Sequence, residues 1–312
     1  MSRLAEISAS PTMREYAQGA AQDAIMPVAN FLAPTVEVAT SVGRFKKYDE
    51  KNRFRIPNTL RSLGGRATEL KFDVRDATYN CEPHALDYPV DNLEQLESEG
   101  LEDMLREGIT AVAEVAALSH EATVIAKALE ATGSGTGKVW NASADPVADI
   151  DEAILSVIKA ARYGSIMGVG ILFGATAWTH FKNQASVKGR FVIGPGKGGL
   201  GLAVPTEESV SQMFAGSPEV KTSYMIHDTA AEGLDADIQF LLDSTVLVFA
   251  QKSAPTRRDP SFMKTFRLMN KIMVPGSYMR EDGRVEVAKF DWSEDVQVTN
   301  STAAVRLNIT TS

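Results

Sequence analysis

One cysteine, four histidines and no unbroken apolar run of bilayer-spanning length set the first limits on this chain of 312 residues. A lone thiol, Cys81, cannot close an intrachain disulfide, so packing must hold the fold, and a reducing compartment suits it best. The opening MSRLAEISASPTMREYAQGA has no apolar core of signal-peptide length, and with no spanning run the chain reads as a cytoplasmic product. An excess of positive charge is also missing. Lys and Arg number 32 against 40 Asp and Glu, a net charge of −8, so the whole chain is not a polyanion binder and any nucleic-acid contact must be local.

Catalytic constellations are missing too. His84, His120, His180 and His227 are scattered, and HEATV at His120 lacks the second histidine of a zinc-protease helix. Ser134 sits in TGSGTG, but Thr132 stands where a nucleophile elbow needs glycine. Asp235 and Asp237 form a D-x-D that no calcium-loop pattern completes. Cys81 beside Glu82 and His84 reads as a half-buried structural cysteine before it reads as a nucleophile. The expectation is a protein that is no enzyme and has no metal and no cofactor.

One motif invites the opposite reading. In FVIGPGKGGLG, residues 191–201, Gly194, Gly196 and Gly199 fit G-x-G-x-x-G after an apolar run. A dinucleotide fingerprint needs the last glycine to open a helix whose amides face the pyrophosphate. Here LGLAVPT follows, with Pro205 and no helical period, and Lys197 lacks the flanking residues of a Walker loop. An exposed loop tip is the expected role.

What is present is a clear order of elements. Residues 1–43, with Pro11, Pro27 and Pro34, read as an N-terminal arm. NRFRIPN and ATELKFDVRDATY alternate apolar and polar positions around the Gly64-Gly65 turn signal, which predicts a long two-stranded hairpin within 44–90. Its apolar row Leu70, Phe72 and Val74 has no local partner, and a lone hairpin is marginal in water, so its partner surface can belong to another chain. Asp91 and Glu94 resemble a capping box before a helix of roughly forty residues, about 60 Å long, that Gly133 would stop. Asp145 caps Pro146 at the head of a second helix, and helices then alternate with the strands IMGVGILF and EVKTSYMIH, with Thr206 capping EESVSQMFAG. From STVLVFAQ onward the chain is strand-rich.

Charge is unevenly spread. Arg44–Arg75 carries ten basic and four acidic residues, a net of +6, and Asp91–Glu130 carries two basic and ten acidic, a net of −8. Arg53 and Arg55 of the hairpin are therefore candidate partners for Glu97 and Glu102 of a neighbouring copy's helix. A second basic run, Lys252–Lys271, interleaves Phe262 and Phe266 and reads equally as a nucleic-acid contact or a strand face.

This order resembles the major capsid proteins of tailed bacteriophages, with the Hong Kong 97-like fold that encapsulin shells share. TYNCEPHALDYPVDNLE looks like the family's passage from extended loop to spine helix, VWNASADPVADIDEAI like the entry to the axial domain, TEESVSQMFAGSPEV like its next helix and strand, and LLDSTVLVFAQ with PSFMKTF like the return to the peripheral domain. The resemblance implies an α+β fold: arm 1–43, extended loop 44–90, spine helix and start of the peripheral domain 91–144, axial domain 145–245, peripheral return strands 246–298, and a C-terminal strand 299–312 that rejoins the axial domain. It places the loop of Gly194, Gly196, Lys197 and Gly199 near an axial tip. It implies a structural subunit of a virion capsid, assembled in the bacterial host cytoplasm, that meets itself in hexamers and pentamers. Scaffold, portal and decoration proteins are the other expected partners, with packaged DNA on the inner face and no membrane. An encapsulin-like shell is the alternative within the fold, and a nucleotide-binding enzyme using the 194–201 loop is the alternative outside it.

Overall fold

A computed structural model describes residues 27–48, 60, 74–91, 101–161, 168–190, 205–231, 233–251, 256, 261–269 and 274–311. Two five-stranded sheets, joined by one long helix, organise them.

The first sheet is built on β13 (Val285–Val298), which pairs antiparallel with β4 (Glu82–Asp91) on one side and with β12 (Val274–Met279) and β11 (Met263–Leu268) on the other. β1 (Thr35–Val38) adds to β11 in parallel. The second sheet runs β5 (Thr136–Val139), β14 (Ala304–Thr310), β10 (Thr245–Gln251), β6 (Gly168–Gly174), β7 (Glu219–Ser223). β10 and β6, GILF against VLVFA, are buried on both faces, as an unbroken apolar run requires. β2 (Val42–Tyr48) and β3 (Val74–Asn80) form a separate ribbon, and so do β8 (Ile226–Asp228) and β9 (Ile238–Phe240).

The described helices are α1 (Pro27–Leu32), α2 (Leu101–Thr132), α3 (Pro146–Ala161), α4 (Ala175–Asn183), α5 (Ala185–Arg190) and α6 (Glu207–Ser211). The Asp145 side chain accepts from the Val147 amide at the start of α3, Thr206 and Ser209 cap α6 reciprocally, and Gly133 ends α2 at φ 64°. Gly174, before α4, lies against the Asp243 carbonyl, so a Cβ there would strike backbone. That approach lets the Leu242 and Asp243 carbonyls accept the amides of Ala175 and Ala177 in the first turn of α4.

Helix α2 spans 32 residues, about 48 Å at the helical rise. Residues Glu107–Thr132 are long and apolar enough to cross a membrane by length and composition, and half of that segment is buried in the protein. Val112, Ala113, Ala116 and Ala117 pack on Phe290 and Trp292 of the first sheet. Val124, Ile125 and Ala128 enter the large core, where α1 and α3 cover the second sheet. Small side chains on this face let the backbone come close, and Gly108 sits against the Tyr88 ring.

Three expectations are corrected. Asp91 ends strand β4 opposite Val285, so it is not the cap of α2, whose described part begins at Leu101. Residues 82–90, assigned to the extended loop, lie in the first sheet, because β4 pairs with β13 over ten residues. Residues 246–251, assigned to the return strands 246–298, are central in the second sheet beside β6 and β14.

Candidate functional site

The root of the hairpin is fixed to the first sheet by an aromatic stack. Gly43 pairs with Tyr79 and Phe45 with Ala77, which puts Phe45 and Tyr79 on one face of the ribbon. Phe266 of β11 stacks on Tyr79 at 4.7 Å and leans on Phe45 at 5.1 Å. A Cβ at Gly43 would collide with the Tyr79 ring, so glycine is what lets the ring lie flat over the opposite strand. Asp76 and Thr78, at the alternate positions, are exposed, and Val74 takes the same register set. The backbone of Val74 opens β3 opposite Tyr48. Arg53, Arg55, Leu70 and Phe72 lie outside the described residues, as do Glu97 and Gly194, Gly196, Lys197 and Gly199. Glu102 is placed only as part of the α2 backbone. The 191–204 segment is entered from α5, which ends at Arg190, and is followed by α6, which opens on its own Thr206 cap.

Cys81 follows this stem and is buried, with its Sγ 3.5 Å from the Phe266 carbonyl. Burial, then the nearby carboxylates of Asp295 and Glu294, push its thiol up to about 11. His84 stacks instead on Trp292 at 5.3 Å. A thiol reagent is expected to leave Cys81 untouched in the native subunit at neutral pH and to modify it fully after denaturation, since the thiolate is the reacting form. Native-state labelling at the unfolded rate, read by mass spectrometry, would contradict this burial.

Beside the stem, helix α2 and strand β13 enclose an acid–base cluster that the sequence did not announce. Glu294 is its centre. Its Oε1 accepts from His120 Nδ1 at 2.8 Å and from Trp292 Nε1 at 3.3 Å, and its Oε2 accepts from Arg267 Nη2 at 2.7 Å and Nε at 3.2 Å. Burial alone would raise the Glu294 pKa, but the bonds and charges of His120 and Arg267 hold it down at about 2. His120 Nε2 has no hydrogen-bond partner among the described residues. An adjoining cleft of about 150 Å³ is lined by Glu82, His84, Lys127 and Asp295 among others. Among the described residues no cluster of three or more His, Cys, Asp or Glu side chains could hold a metal ion.

The second basic run resolves in part into strand structure. Of its six cations, Lys264 and Arg267 are buried in β11, Lys264 donating to the Thr256 carbonyl, and Phe262 and Phe266 are core residues. Asp237 of the D-x-D motif braces a turn, accepting from Thr229 and Gln239.

No protein-family model matches the sequence, and no curated protein matches it by sequence. Solved structures match it closely in shape. A phage-related protein from Bordetella bronchiseptica superposes with a TM-score of 0.69 at 15% identity, over 96% of this chain and 97% of that one. The SrpI encapsulin of Synechococcus elongatus gives 0.55 at 12% identity, over 91% and 88% of the two chains. The capsid of cyanophage P-SCSP1u gives 0.54 at 12% identity, over 90% and 87%. Two sheets bridged by a long helix, with a ribbon rooted beside it, are thus an arrangement shared almost end to end with these proteins: the chain has the α+β, Hong Kong 97-like capsid fold.

Proposed function

We propose that this chain is a structural shell subunit, the major capsid protein of a tailed phage, and that it acts by self-assembly rather than catalysis. The observation that carries the reading is the likeness to shell-forming chains over nearly the whole length, with no large part of the chain left over for another activity. The encapsulin match gives the second reading its support. The contents of particles purified from expressing cells separate the two: nuclease-protected DNA favours the capsid, and one co-purifying cargo protein favours the nanocompartment. Under the capsid reading, scaffold and portal proteins are the further partners, DNA meets the inner face, and assembly takes place in the host cytoplasm. The regions around the first and second sheets take the peripheral and axial roles, and the Gly194–Gly199 loop takes an axial-tip position.

The extended loop supplies the contact between copies. Leu70, Phe72 and Val74 form its apolar row, and Arg53 and Arg55 its charge, set against Glu97 and Glu102 on the long helix of a neighbour. The aromatic root at Phe45, Tyr79 and Phe266 supports this reading, because a loop with a fixed base meets its neighbour in one register. An exposed ion pair contributes only about 0.2–1 kcal/mol, but repetition around a closed shell multiplies it. Phe72→Asp is expected to leave folded subunits that do not close into shells. Arg53→Glu with Arg55→Glu is expected to block closure, and Glu97→Lys with Glu102→Lys to restore it in part. Raising salt to about 1 M, where the Debye length is roughly 3 Å, is expected to slow assembly. Normal assembly of all these variants, indifferent to salt, would remove the loop from the interface.

A further inference from the structure

The ribbon of β8 and β9 belongs to neither sheet, yet it is firmly built. The Asp228 side chain accepts the amides of Ala230 and Asp237, Thr229 donates to Asp237, and the Leu241 amide closes onto the Met225 carbonyl. Its register puts Ile226 opposite Phe240 and Ile238 opposite Asp228, so the three apolar side chains share one face. That face is bare: Ile226 is 49% exposed, Ile238 55% and Phe240 43%, with Tyr224 and Leu234 exposed beside them. A rigid ribbon that holds an apolar face in water is a surface waiting for a partner. The ribbon is also purely acidic, with Asp228, Glu232, Asp235 and Asp237 and no Lys or Arg between 224 and 241.

A complementary surface lies at the other side of the same sheet. The ribbon follows β7, which is one edge strand, whereas β5 is the other. There Val139 is 48% exposed, and on α3, which packs over β10 and β14, Leu155 is 51% exposed. Lys159, one helical turn beyond Leu155, is exposed as well. The nearer cation, Lys138, is already occupied by Asp149 and Glu152. Apolar side chains with a free lysine thus face away from one edge, and apolar side chains with carboxylates leave the other.

We propose that the β8–β9 ribbon of one copy docks on the β5–α3 edge of a second copy, Ile226, Ile238 and Phe240 covering Val139 and Leu155 while Asp235 meets Lys159. Because the two surfaces differ, the contact is head-to-tail and closes into a ring when its rotation divides a full turn. The inference rests on the shell reading and gives it one of its interfaces.

The test is a paired cysteine variant of the full chain, Leu155→Cys with Ile238→Cys, oxidised after assembly; Cys81 is buried and serves as background. A ladder of covalent oligomers from the double variant, absent from either single variant, is expected. Lys159→Glu is expected to lose assembled rings, and adding Asp235→Lys to regain them. Melting should be unchanged throughout, because all four side chains are exposed in the free subunit. Assembled particles in which the double variant stays monomeric under oxidation, or in which a different protein covers the ribbon, would overturn the pairing and leave the shell reading intact. Crosslinked rings that never close into shells would uphold the pairing and sink the shell reading. A chain that stays monomeric at every concentration would sink both.

Discussion

Replacing Glu294 with alanine is expected to lower the unfolding free energy of the purified subunit by about 3–5 kcal/mol, the usual effect of removing one partner from a buried ion pair. The side chain of Arg267 is 6% exposed and donates two hydrogen bonds to the one carboxylate that Glu294 supplies, and His120 and Trp292 lean on the same group. Alanine would strand a buried guanidinium and leave the Trp292 indole N–H without its acceptor. Glu294→Gln keeps the shape and loses the charge, so it should fall between. Arg267→Ala combined with Glu294→Ala should cost less than the sum of the single changes, since the second removal relieves the stranded charge. The pH dependence has a definite sign. Glu294 is held at about 2 against an ordinary 4.5, so its contribution is present in full above about 4.5 and is lost as pH falls toward 2. Denaturant unfolding of the three variants measures all of this. A Glu294→Ala effect under about 1 kcal/mol would mean that the cluster is solvated in solution and that the helix is not tied to the sheet there.

Glu121 is expected to act in the opposite direction and in a different window. It is fully buried on α2, and neither carboxylate oxygen has a hydrogen-bond partner among the described residues. Burial raises its pKa from 4.5 to about 7. The folded subunit therefore holds a proton that the unfolded chain releases, and stability falls as pH rises from about 4.5 to about 7. At 1.36 kcal/mol per unit the loss is on the order of 3 kcal/mol. Glu121→Gln keeps the volume and removes the titration, so it should flatten that slope and stabilise the subunit at mildly alkaline pH. Unfolding free energies of both proteins at about pH 5 and about pH 8 decide the matter. A slope that survives the substitution would place its origin elsewhere. The position of Glu121 gives the effect a structural setting: it sits between the helical turn on Phe290 and Trp292 and the turn that enters the large core.

The parts of the fold that were legible in the sequence are those fixed by neighbours in the chain. Asp145 before Pro146, Thr206 before a short helix and Gly133 after a long one each mark a boundary through a side chain or dihedral at that residue, and each boundary lies there. Sheet membership was harder, because β10 and β11 are both apolar runs and nothing local says that β10 lies beside β6 while β11 adds to β1, more than two hundred positions away. At Asp91 two local signals compete. A cap pattern reads forward into a helix, but ten cross-strand pairs between β4 and β13 outweigh one capping bond. The acid–base cluster left no local trace at all. His120 and Glu294 are 174 positions apart, and HEATV was weighed only as a metal motif. A buried charge on a strand needs a partner from another element, and an acidic strand residue such as Glu294, flanked by Trp292 and Val296, is the one signal that could have prompted the search.

Electron microscopy of the purified full-length protein, taken through assembly conditions at low and then high salt, tests the central claim most directly. The account predicts hollow closed shells of icosahedral symmetry built from rings of this one chain, in which the long helix and both sheets can be placed. A compact monomer at every concentration and salt would contradict it.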